Sequence, residues 1–213
     1  MRTLIAAAAA LAAGCLGGLK NEAPAPNIYR IDAPGIPAGA ALPADLSIVV
    51  ERVAPGLDSD RIAGRWPGMR LDYLAGARWA GELAALLQSA LVTGFQDSAR
   101  LRSVQGDVGR FRATHALVIE VRRFEADYTG GGPPVAQVEL AATVGRLADA
   151  RVLASFTAAA SESAAENRQT TVVAALNAAF AQASGDLSAK ALESVAADLA
   201  GRASPSGGDR ASP

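Results

Sequence analysis

The only cysteine of this 213-residue chain is Cys15, and its position limits what the rest can fold into. It closes a start that reads Met1-Arg2-Thr3, then an apolar run from Leu4 to Ala13, then Gly14. A charged head, a short apolar stretch and small residues before a cut site are the parts of a secretory signal. Crossing a bilayer takes roughly 20 apolar residues, and this run is too short. Residues 1–14 are therefore read as a signal peptide and set apart from the fold. The chain beyond them holds one cysteine, so no disulfide can form within it, although exported domains often depend on one. Packing alone must stabilise it.

The stretch Leu11-Ala12-Ala13-Gly14-Cys15 resembles a lipobox, whose cysteine is acylated and becomes the new N-terminus. Ala12 stands where leucine is usual, with Leu11 one step further out. The alternative is an ordinary signal peptide cut at another small-residue site. A lipid on Cys15 is the one non-protein group expected, and no other cofactor is. Each buried CH₂ contributes about 0.8 kcal/mol, and two or more chains hold stably. Leu16 follows the cysteine where inner-membrane lipoproteins carry Asp, so the pattern resembles sorting to the periplasmic face of the outer membrane.

Basic and acidic residues nearly balance, 20 Lys+Arg against 21 Asp+Glu. No basic excess exists to neutralise phosphates, so nucleic acid is not an expected partner. Alanine is so common along the whole chain that it cannot count as evidence for a helix face.

Residues 15–45 read as the lipidated cysteine and a Pro/Gly/Ala-rich tether, with one short extended piece at Ile28–Ile31. Residues 201–213 are Gly/Ser/Pro-rich and read as a disordered tail. Between them one domain is expected over 46–200, within the size of a single core. Leu46–Val53 is rich in β-branched residues and reads as a strand. Arg61–Arg65 and Met69–Tyr73 flank Trp66-Pro67-Gly68, a plausible hairpin turn. From Trp79 the period changes: Trp79, Leu83, Leu86, Leu87, Leu91 and Phe95 share one face of an amphipathic helix. Strands follow around Leu117–Arg122, Gln137–Val144 and Val152–Ala160, each with one apolar and one more polar side. Val173, Leu176, Phe180, Leu187, Val195 and Leu199 fall at helical spacing over about 170–199, where Gly185 is expected to bend or split the helix. The order predicts an α+β single domain, an antiparallel sheet with two long helices packed on one face. The free edge of such a sheet can add a strand from a partner or from a second copy, so a homo-oligomer is possible.

His115 is the only histidine. With Cys15 expected as a thioether, no Cys-His pair, no Ser-His-Asp set and no His/Cys zinc set is read, and no P-loop or GxGxxG occurs. His115 precedes a buried-looking strand and reads as structural or solvent-facing. Glu120 and Glu139 lie on facing strands of a possible hairpin and are a pair that a carboxylate-based hydrolase reading can use, although 21 acidic residues make some such pair inevitable. Catalytic and metal residues are expected to be none. Trp66, Tyr73 and Trp79 are the candidate partner-binding residues. For Trp66, at a turn, the alternative is that the ring folds back onto the domain; for Tyr73 and Trp79, flanking Leu74–Arg78, core packing is favoured.

The block RWPGMRLDYLAGARWAGELAALLQSALVTGFQDSARL resembles the PqiC-type ABC-transport auxiliary lipoproteins, with Tyr73, Trp79, Glu82, Leu83, Leu87, Leu91 and Phe95 at the matching positions. The lipobox, the Pro-rich tether with Tyr29 and the closing amphipathic helix fit that family's layout. The resemblance implies a non-catalytic envelope lipoprotein, auxiliary to a lipid transporter acting between inner and outer membranes. Its partner would be a periplasmic MCE-domain protein served by an inner-membrane ATPase and permease. The competing expectations are a structural or assembly lipoprotein of the envelope, tied to secretion or peptidoglycan, and the hydrolase.

Overall fold

Alternation of Leu117, Ile119 and Val121, all fully buried, builds the strand around which the sheet is arranged. The computed structural model describes residues 24–106 and 112–203; Cys15, the expected signal peptide and residues 204–213 of the expected tail lie outside them. In chain order the elements are β1 (Asn27–Tyr29), β2 (Leu42–Val53), β3 (Arg61–Trp66), β4 (Arg70–Trp79), α1 (Leu83–Asp97), β5 (Leu101–Gln105), β6 (His115–Asp127), β7 (Val135–Arg146), β8 (Arg151–Ser163) and α2 (Gln169–Ala203).

One edge of β6 pairs with β7 along its whole length, and β7 pairs in turn with β8. The other edge is divided. β2 takes its first half, from His115 to Val121, and β3 takes its end, where Gly64 faces Ala126 and Arg65 faces Asp127. The α+β single domain holds, but the sheet is mixed and not purely antiparallel. β1–β4, β2–β5, β2–β6 and β3–β6 are parallel. Alternation reports which face of a strand is buried and is silent on its direction, which the long connection from β2 to β6 decides.

The covered face holds both helices in one apolar cluster. Trp79, Phe124 and Phe180 meet edge to face, with centroids 5.8 and 6.0 Å apart, and so tie β4 through β6 to α2. α2 runs unbroken for 35 residues, so Gly185 does not split it. Helical packing on the sheet outweighs the roughly 1 kcal/mol that an interior glycine costs. Its buried stripe contains Ala175, Ala179, Ala183 and Ala191 besides the large residues. α1 begins at Leu83, and Trp79 closes β4 instead of opening the helix. Where β5 stops, the Gln88 side chain takes over its pairing: Oε1 accepts from the Val50 N–H at 2.9 Å, and Nε2 donates to the Gly106 carbonyl at 2.7 Å.

Residues 27–45, expected within the tether, are docked on the domain. β1 pairs with Ala77–Trp79, and Ile36 is buried in the core. Asn177 of α2 accepts from the Asp32 N–H at 2.9 Å, and Gln169 accepts from Asn27 at 2.9 Å. Gly94 explains the fit against α1, since a Cβ there would stand 2.6 Å from the Pro34 carbonyl oxygen. Proline content signalled the absence of regular structure, and that is not the absence of packing.

Candidate functional site

Three surfaces hold the residues singled out by sequence. At the end of the sheet where β6 begins, His115 is wholly buried, with Nε2 3.2 Å from Asp198 Oδ2 and Nδ1 2.9 Å from Thr114 Oγ1. Arg146 donates to the other oxygen of Asp198 at 2.6 Å and reaches Asp149 at 2.7 Å. The Thr114 hydroxyl also meets the Asp45 backbone, accepting from its N–H at 3.0 Å and lying 3.1 Å from its carbonyl oxygen. Arg102 and Ser103 hold the Asp45 carboxylate, and the Arg102 hydrogen bond draws its pKa below the ordinary value. Hydroxyl, imidazole and carboxylate stand in a row here, which invites comparison with a catalytic triad. Yet the ring has no exposed surface, and the Thr114 oxygen is taken up by the Asp45 backbone. The row is a latch joining β2, β6, β7 and α2.

Over the open face of the sheet the two carboxylates do come together, bridged by one cation. Arg122 lies 3.8 Å from Glu120 and 3.6 Å from Glu139, and Arg52 adds a 4.0 Å contact to Glu120. Glu120, Arg122 and Arg52, but not Glu139, border a shallow depression of about 340 Å³ that also takes in Thr143, Ser155 and Thr157. A proton-donating carboxylate needs burial away from cations. This pair lies at an arginine on an open face, which favours an ion-pair stripe over a hydrolase.

The opposite end carries the aromatics. Trp66 turns back over Gly64 and stacks on Tyr128, with centroids 4.5 Å apart and planes 6° from parallel. A Cβ on Gly64 would lie 2.5 Å from the indole, so this position needs glycine. Arg70 stands over the Trp66 ring at 5.7 Å. Tyr73 lies under Arg61 at 3.6 Å, and its hydroxyl donates to the Gly56 carbonyl at 3.0 Å. Trp66, Tyr73, Tyr128, Asn167 and Gln169 line a groove of about 350 Å³. Trp79 is 2% exposed and presents nothing to a partner, because it closes β4 inside the aromatic ladder. Leu74–Arg78, expected as a connection between elements, is a bulge within β4, whose Ala75 carbonyl accepts from Gln169 at 2.7 Å.

Beside the stack, burial pushes the Asp127 carboxyl upward, but hydrogen bonds from Arg65 and Thr129 outweigh it and carry the pKa down to about 2. Arg146 does the same for Asp149 at the other end, again to about 2.

Sequence reading missed Met69 and Tyr128. Met69 was placed in a strand, yet it belongs to the three-residue turn Pro67-Gly68-Met69, at φ +62° and 97% exposed. An apolar residue straight after Pro-Gly was the available signal. Asp198 was missed because its partners lie 52 and 83 residues away in sequence.

The family of ABC-type transport auxiliary lipoprotein components matches residues 29–188. No curated protein matches the chain. Among solved structures, a Xanthomonas campestris protein of the DUF330 family is similar, with 29% identity and a TM-score of 0.74, covering 82% of this chain and 99% of that one. A second crystal structure, of an uncharacterized protein, covers 78% of this chain and 98% of its own at 13% identity and a TM-score of 0.63, a likeness of fold alone.

Proposed function

The chain belongs to the ABC-type transport auxiliary lipoprotein family, and from that premise we propose that it acts without catalysis, as a tethered adaptor of an MCE-type lipid transporter between the two membranes. The family match over residues 29–188 carries the reading. Its anchor would be the acylated Cys15 in the outer membrane, and its protein partner the periplasmic MCE-domain component.

The surface best suited to that partner is the free edge of β8. This strand is 13 residues long and, among the described residues, pairs only with β7. Lys190 Nζ lies 3.3 Å from the Thr157 carbonyl oxygen, so the Thr157 backbone faces away from the ladder. Within a strand the N–H and C=O of one residue point to the same side, which leaves groups that an added strand can use. Tethering raises the local concentration of such a surface, so modest contacts suffice.

Thr157→Pro removes one outward N–H where an edge strand tolerates proline. The variant is expected to lose co-purification with the MCE-domain protein while its melting temperature stays near that of the wild type. Full retention of the partner moves the contact elsewhere. A gene neighbourhood with secretion or peptidoglycan functions in place of an MCE protein and an ATPase would overturn the transport reading.

A further inference from the structure

We propose that the β3–β4 hairpin tip seats the domain on the bilayer surface, so that the anchored protein stands with its β6–β7 loop end toward the membrane. The proposal rests on the anchoring reading for Cys15 and adds an orientation to it.

The first observation is where the chain comes from. β1 is parallel to β4, with Asn27 level with Ala77 and Tyr29 with Trp79. The chain ahead of Asn27 therefore leaves the sheet toward the end where β4 starts, which is the Pro67-Gly68-Met69 turn. Cys15 is 12 residues before Asn27, a reach of about 40 Å at most. β6, with 13 residues, is itself about 43 Å long at ~3.3 Å per residue. The tip end lies within easy reach of the anchor, while the His115 end demands a turn back along the domain.

The second observation is what the tip presents. Met69 is 97% exposed in a left-handed backbone position, where glycine or asparagine is the ordinary choice. Nothing in the fold needs an apolar side chain there. Leu71, 40% exposed, adds to it on the same hairpin. Behind them Trp66 is held rigid by its stack on Tyr128, with Arg70 over the ring. An apolar point backed by tryptophan, tyrosine and arginine matches the chemistry of the water–lipid boundary, where such rings and cations sit at headgroup depth. The acyl chains supply the affinity. The hairpin supplies the direction, which leaves the length of β8 clear of the membrane for a protein.

The test uses the full-length lipoprotein reconstituted into phosphatidylethanolamine–phosphatidylglycerol vesicles. Acylation blocks the Cys15 sulfur, so Met69→Cys or Val152→Cys offers a single thiol for an environment-sensitive fluorophore. Val152 is the control, 62% exposed at the other end of the sheet. The expected result is quenching by lipids brominated near the headgroup that is several-fold stronger at position 69 than at position 152. Equal quenching at both positions, with the protein floating on the vesicles, overturns the seating and leaves the anchor intact. Protein that fails to float removes the anchoring reading itself. A probe at 69 that stays in water on vesicles and is shielded only by added MCE-domain protein overturns the proposal in favour of a protein contact.

Discussion

Where β6 begins, Thr114, His115, Arg146 and Asp198 turn their polar atoms toward one another, with the His115 ring wholly buried and the Asp198 side chain 6% exposed. Where β6 ends, Trp66 and Tyr128 stack in partial contact with water, and Met69 stands outside everything. The first end binds four elements by directed, low-dielectric contacts, each of which leaves a costly orphan if its partner goes. The second end has spent its packing on one stack and left its outermost side chain unused by the fold. The contrast teaches that the side chains that hold the fold and those it leaves outside have been separated along the sheet. A residue that does nothing for folding is free to meet a surface.

The strongest way to break this contrast is Asp198→Ala. It strips both the imidazole and the Arg146 guanidinium of their shared carboxylate, and a loss of about 3–5 kcal/mol is expected. Urea denaturation measures it, and a change below about 1 kcal/mol would show that the latch is ornamental. Trp66→Ser should cost less, about 1–2 kcal/mol, since the stack is only partly buried. A cost equal to that of Asp198→Ala would make the tip a second core.

Acid sharpens the comparison further. Asp127 and Asp149 each have a folded pKa of about 2, against 3.8 ordinarily. A depressed carboxylate contributes stability above its unfolded pKa and loses it as pH falls through its folded one. Melting temperature should therefore drop between about pH 4 and pH 2. Asp127→Asn should flatten that drop more than Asp149→Asn, because the Asp127 side chain is 12% exposed and that of Asp149 51%, where water screens the pair. The reverse order would shift the electrostatic weight to the latch end. Smallest of all, Met69→Ser should leave stability within about 0.5 kcal/mol. A larger loss by thermal melt would give Met69 a structural task and weaken its case as a contact point.

Legibility followed chain distance. The strand alternation of Leu117–Val121 and the helical spacing of Leu83, Leu87, Leu91 and Phe95 could be read directly, because a single face of one element carries the signal. The alanines of α2 could not. Their abundance elsewhere hid the fact that Ala175, Ala179, Ala183 and Ala191 are buried along it. The Pro-rich stretch around Pro34 misled in the other direction, since proline breaks helices and ladders without preventing a close contact with Gly94. Of the three aromatics, Trp66 is folded back and partly buried, Tyr73 lines the groove beside it, and Trp79 is core.

By itself the sequence determined the succession of the longer strands and the two helices, though not β5, together with the lack of a second cysteine to form a disulfide and the large residues of the apolar face. Each of these is a local pattern, set by the period of one element or by the count of one residue type. Only the tertiary structure decided that β2 and β3 share an edge of β6, that His115 is sealed by Asp198 from 83 positions away, and that Met69 is left bare. Those outcomes depend on which distant elements meet. Strand direction, ion pairing across helices and exposure at a turn are fixed by the partner that arrives, and local pattern holds no record of it.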